Sequence, residues 1–169
     1  VLENMHASRA FEIMTRPKHS VFGQLSNKDH SEVRRMMCRG ILATDMERHM
    51  DHVKELQNHS TFTNSREDRT FLVETAMHTS DLSNPVQPWK NSSEWAIRIA
   101  KEFVNQYEKE TELGLPQTPH FNLQGDIVAS NPNIAKLNIG FANYLVKPLW
   151  VIFVDFFPKW ADRIGESFA

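Results

Sequence analysis

The sequence predicts an all-helical fold on three grounds. Apolar residues recur at three- and four-residue steps over much of the chain, as one face of a helix requires. The breaks between these stretches are rich in Pro, Gly, Ser and Asn. The one stretch with strand-like composition, Trp150 to Phe157, has no convincing strand to pair with, so its helix or strand state stays open while the simpler architecture is all-α. A chain of 169 residues with 40% hydrophobic content can bury one sizeable core, which makes a single compact unit the default expectation.

The elements follow in order. From Ser31 to Leu56, Val33, Met36, Met37 and Ile41, then Met46, Met50 and Val53, mark one helical face. Gly40 costs roughly 1 kcal/mol of helix propensity relative to alanine and predicts a change of axis near Ala43 and Thr44. Asn58 to Asn64 is loop-like, Arg66 to Thr79 is helical again, and Ser83, Asn84, Pro85 and Pro88 stop that helix, leaving Asp81 at its end. Trp95, Ile99, Phe103 and Gln106 line one stripe of the next helix, and a long loop from Gly114 runs to about Asn133. Leu137, Phe141, Tyr144, Leu145 and Leu149 form a last stripe, broken or kinked at Pro148.

Charge excludes more than it identifies. The 19 basic and 21 acidic residues are interspersed, leaving a formal charge of −2 and no basic run suited to nucleic acid or a membrane surface. The most apolar stretch, Leu149 to Phe157, is interrupted by Asp155 and falls far short of the roughly 20 residues of a membrane span, so no membrane segment is expected. Cys38 has no intrachain disulfide partner, which suits a reducing compartment. The chain starts at Val1 without a secretory signal and reads as an excerpt from a longer protein.

Residue types alone offer two candidate metal-ligand pairs. His49 and His52, three apart beside Asp45 and Asp51, could place two imidazoles near one ion, although their charged neighbours favour a solvated face. His78 and Asp81, three apart at a helix end, are the better pair, with capping or turn formation as the alternative role for Asp81. There is no Gly-rich phosphate loop, no Gly-x-Ser-x-Gly elbow and no Cys-x-x-Cys pair.

Three segments together carry a resemblance: Val1-Leu-Glu-Asn4, Ile41-Leu-Ala-Thr-Asp-Met46 and His78-Thr-Ser-Asp-Leu-Ser-Asn-Pro85. With Trp95, Glu102-Phe103, Glu112-Leu-Gly-Leu-Pro116, Ile139-Gly-Phe141 and Pro148-Leu-Trp150, they resemble, in order and spacing, the C-terminal part of the catalytic domain of class I 3',5'-cyclic-nucleotide phosphodiesterases. The resemblance implies that all of residues 1–169 are such a portion, in the helical HD-type fold of that family. The family's upstream His-Asn-x-x-His and His-Asp segments, which hold the general-acid histidine and further metal ligands, do not occur in these 169 residues. The implied activity is therefore hydrolysis of cyclic AMP or cyclic GMP to the 5'-monophosphate by the longer protein, with this portion inactive alone.

The resemblance also assigns residues. Asp81 matches the family's metal-binding aspartate in a two-ion centre, a zinc with a magnesium or manganese, whose paired ions generate hydroxide near neutral pH and neutralise charge on the phosphate. His78, Thr44 and Asp45 match positions that orient ligands and water there, and Glu3 joins the same water network. Ile99 and Phe141 are implied to clamp the purine, with Phe103, Leu82 and Met46 lining its pocket and Asn84 near the base edge. Asn138 stands where the family nearly always has a glutamine that hydrogen-bonds the purine; it keeps donor and acceptor but is one methylene shorter. Met5 replaces a histidine and Ser92 an aromatic. These departures support an alternative, a catalytically inactive phosphodiesterase-like binding or regulatory module. Cytosolic substrates imply a cytoplasmic location, and a dimeric parent is compatible with the resemblance.

Overall fold

The computed structural model describes residues 1–123 and 125–161. Among the described residues the chain forms helices and turns and no strand. Bulk composition suggested one compact unit; the residues gather instead into two, dividing in sequence between Asp81 and Leu82.

The first unit holds α1 (Leu2–Met14), α2 (Asn27–Leu42), α3 (His49–Asn58) and α4 (Arg66–Asp81). Ser26 starts α2 by accepting the Asp29 N–H at 3.2 Å, and Asp29 sits favourably in the positive first turn. The helix ends at Leu42, and Asp45 then caps a short turn, Met46–Arg48, by accepting the Glu47 N–H at 3.0 Å. The expected change of axis is here. Gly40 plays a different part from the one its propensity suggested. It is buried where α2 packs on α4, and a Cβ there would lie 3.0 Å from Met77 Cγ and 3.2 Å from Val73 Cγ1.

The turn at Met46–Arg48 resets the phase of the following helix. Sequence periodicity put Met46 and Met50 on the inner face, but both are exposed, and the buried stripe is His49, Val53 and Leu56, at i, i+4 and i+7. His49 and His52 are correspondingly not on a solvated face. His49 is 1% exposed and its Nδ1 lies 2.8 Å from Nε2 of His78, which is fully buried. His52 Nε2 lies 3.1 Å from Thr75 Oγ1. Burial, with lesser contributions from His52 and His49, holds the His78 imidazole down at about 4.

The second unit holds α5 (Trp89–Glu112), α6 (Pro132–Phe141) and α7 (Lys147–Phe156), the last two joined by a π-helical turn, Ala142–Val146. The ambiguous stretch after Trp150 is thus helical. The π turn carries an extra residue and rotates the helix face, so the buried positions beyond it are Val146, Leu149, Trp150 and Phe153, while Tyr144, expected on the stripe, is 79% exposed. Pro148 does not break the helix: it lies two residues after the π turn, and the helical run continues through it. On α5, Trp95 and Gln106 are exposed and Ala100 is buried, a phase shift of one position from the expected stripe.

Joined through the π turn, Pro132–Phe156 is a 25-residue helical run whose most apolar 18-residue window has mean hydropathy 1.4, long and apolar enough by those measures to cross a bilayer. Its stripe of Ile134, Val146, Leu149, Trp150 and Phe153 is buried in protein, and Lys136, Lys147 and Asp155 are exposed along it, which a hydrocarbon core disfavours. The run is amphipathic: one stripe packs against protein, and only 22% of its most apolar window is buried.

Two outcomes are expected. Gly40→Ala should not yield the gain of about 1 kcal/mol that helix propensity offers, and Gly40→Leu should lower stability by about 1–3 kcal/mol through overpacking against Val73 and Met77, as read from denaturant midpoints. The acid response follows from His78, whose ordinary 6.5 is depressed in the fold, so the unfolded chain takes up the proton first. Stability from this group is fully present above about 6.5 and falls as pH drops toward about 4, by up to about 1.4 kcal/mol per pH unit. The unfolding free energy of His78→Phe should decline less over that window than that of the wild type, and equal declines would contradict the assignment.

Candidate functional site

The residues expected on the metal side fall in the first unit. Asp81 closes α4, where the partial negative charge of the helix C-terminus disfavours an anion. Its surface is solvent-accessible, yet surrounding protein strips enough hydration to push its carboxyl above the ordinary carboxylate value; His6 on α1 acts against this and Glu3 adds to it. Glu3 and His6, one turn apart on α1, therefore share the electrostatic environment of Asp81. A carboxylate placed at a helix C-terminus within the field of a second carboxylate is poorly matched to being a bare anion and well matched to a cation. That donor chemistry fits a divalent metal. Among the described residues, however, no group of three or more His, Cys, Asp or Glu side chains converges to hold an ion, so Asp81 by itself makes no complete metal site.

Thr44 and Asp45 sit at the junction after α2. The Thr44 hydroxyl donates to the Ile41 carbonyl at 2.8 Å, which commits its proton and leaves the oxygen able to act on a water only as an acceptor. Asp45 uses Oδ1 for the cap on Glu47, and Oδ2 has no protein donor among the described residues. His78 lies one turn before Asp81 but points its Nε2 into the core toward His49 rather than to solvent. Met46, expected to line the base pocket, is 40% exposed.

Apart from Met46, the base-side residues fall in the second unit. Leu82 is buried, and Asn84 opens the short turn Asn84–Val86, its carbonyl accepting the Gln87 N–H at 3.4 Å. Ile99 and Phe103, four apart, share a face of α5, and the Phe103 ring stacks on Phe121 at 3.9 Å and 9°. Asn138 and Phe141, three apart, share a face of α6, which packs on α5. Phe141 is half-buried and immediately precedes the π turn, a distortion common near functional sites. Asn138 Nδ2 donates to the Ile134 carbonyl of its own helix at 2.8 Å, leaving Oδ1 and one N–H for any other partner.

Reasoning from sequence missed His6 and the buried role of His49. His49 was visible as half of a pair three residues apart, but the phase of α3 that turns it inward depends on the Met46–Arg48 turn.

Comparison with known proteins places these features in a family. The family model for 3'5'-cyclic nucleotide phosphodiesterase matches residues 1–166. The chain is 31% identical over 167 residues to the dual specificity calcium/calmodulin-dependent 3',5'-cyclic nucleotide phosphodiesterase 1B of Mus musculus, covering 99% of this chain and 30% of that protein. It is 30% identical to the 3',5'-cyclic-nucleotide phosphodiesterase regA of Dictyostelium discoideum, covering 89% of this chain and 19% of that one. In structure it is similar to the phosphodiesterase domain of the RhoPDE fusion protein of the choanoflagellate Salpingoeca rosetta, with a TM-score of 0.87 and 31% identity over 98% of this chain and 54% of that one. It thus spans under a third of the curated relatives and about half of the solved domain. All-helical architecture, motif order and a match over residues 1–166 agree: the chain belongs to the 3'5'-cyclic nucleotide phosphodiesterase family.

Proposed function

We propose that the complete protein hydrolyses the 3' phosphoester of cyclic AMP, cyclic GMP or both, and that this chain contributes one metal ligand and the purine-binding side of the site. The observation that carries the reading is Asp81, a carboxylate at a helix C-terminus beside Glu3, in a chain matched by the family over residues 1–166. Its direct role is to hold a divalent ion. Two such ions, a zinc and a magnesium or manganese completed by ligands outside this chain, supply a nucleophile near neutral pH and offset charge on the phosphate. Thr44, through its acceptor oxygen, and Asp45, through Oδ2, orient water beside Asp81, and Glu3 belongs to the same network. Ile99, Phe103 and Phe141 present apolar and aromatic surface to the base, Leu82 lines the same pocket, and Asn138 Oδ1 and Asn84 offer polar contacts to its edge.

A second reading is a module that binds nucleotide or a partner without turnover. The bond from Asn138 to Ile134 favours it, because it commits part of the amide that would recognise the purine. Turnover of cyclic AMP and cyclic GMP by the complete protein with added zinc and magnesium decides between them; binding without hydrolysis belongs to the module.

Asp81→Ala in the complete protein should lower kcat by at least about a hundredfold, the upper end of what loss of a mere ligand-supporting group costs, and an unchanged rate would remove Asp81 from the site. Asn138→Gln should exchange the local bond for reach toward the base and tighten cyclic-nucleotide binding about fivefold, the worth of one hydrogen bond of about 1 kcal/mol. Calorimetry showing equal or weaker affinity would refute that account.

A further inference from the structure

Helices α3 and α4 are joined by two polar contacts one turn apart. His52 meets Thr75, and His49 meets His78. Thr75, His78 and Asp81 follow at steps of three along α4, so the candidate metal ligand is the next position on the row that α3 holds. The His49 and His78 rings lie 5.1 Å apart at 47°, with Nδ1 to Nε2 at 2.8 Å. Two imidazoles joined in this way must be complementary: one N–H donates and the other ring's lone pair accepts. Both rings are buried, so a rotation or slide of α4 that separated them would strand polar nitrogens away from water. An apolar contact would tolerate such a slide; this one is directional.

We infer that His49 is a positioning residue for Asp81: its hydrogen bond to His78 fixes the rotation and axial position of the last turn of α4, and with it the direction of the Asp81 carboxylate. The inference rests on the reading of Asp81 as a metal ligand. In this role His49 is not itself a ligand and acts through His78.

The test measures Mn2+ affinity of the complete, metal-stripped protein by calorimetry, alongside thermal midpoints. His49→Phe keeps the ring volume and removes the bond, and Mn2+ binding should weaken by about tenfold or more, as when other ligand-supporting groups are lost. His49→Asn, whose amide falls near the place of Nδ1, should restore most of the affinity. Val53→Ala, which creates a cavity in the buried apolar stripe of the same helix, should lower the thermal midpoint while leaving Mn2+ affinity within about twofold. Wild-type affinity in His49→Phe, or an equal loss in Val53→Ala at a matched thermal midpoint, would overturn the inference by reducing His49 to a packing residue. Asp81→Ala separates the two levels: if it binds Mn2+ like the wild type, the ligand reading has failed and this inference falls with it. If His49→Phe does not fold, the bond can be read in the wild type as a through-bond nitrogen–nitrogen coupling between labelled imidazoles. Its presence supports the inference, and its absence overturns it.

Discussion

Helix α4 turns polar residues inward, and the neighbouring helices supply polar partners to three of them, while the Thr79 hydroxyl and His78 Nδ1 have none among the described residues. Thr70, Thr75, His78 and Thr79 are all buried, with Phe71 the apolar member of the group. Buried polar groups need partners, and partners have fixed positions where apolar contacts do not. Arg35 on α2 donates to Thr70 at 2.9 Å, while α3 supplies His52 for Thr75 and His49 for His78. Helix α4 is thus registered from both sides, and the close approach at Gly40 sets how near α2 can come. The candidate metal ligand ends this helix.

Outside that core, charge plays a lesser role. Glu32 bridges Arg35 and Arg66, whose hydrogen bonds hold its carboxyl down at about 2, and Arg39 pairs with Glu74. These pairs tie α2 to the start and middle of α4, but they are open to solvent and worth little individually to stability. Their sense is geometric: they favour the same register of α2 against α4 that the buried contacts require.

In the second unit the corresponding constraint is the π turn. A regular helix would keep Leu137, Phe141 and Tyr144 on one face; with the π turn in the run, Tyr144 is exposed and Val146, Leu149, Trp150 and Phe153 are buried. The half-buried Phe141 stands immediately before this change of face, with Asn138 one turn earlier. The distortion lets the carboxyl end of the helix pack its own core without dictating which way Phe141 faces.

Part of the helical order was legible in the sequence because it depends on local chemistry: periodic apolar residues from Ser31 onward, and Pro85 and Pro88 as stops; α1 and the caps Ser26 and Asp45 were not read from it. The motif around Asp81 was likewise legible, since family membership is carried by residue types in order. Which side of each helix faces inward was not. The phase of α3 turns on a three-residue turn, and the phase of α7 on one extra residue in a π turn; each shifts a whole stripe at little local cost. Only the tertiary structure could decide that His49 lies buried against His78, because the energy that selects that arrangement comes from burying and pairing polar atoms of helices distant in sequence, and no local window contains both partners.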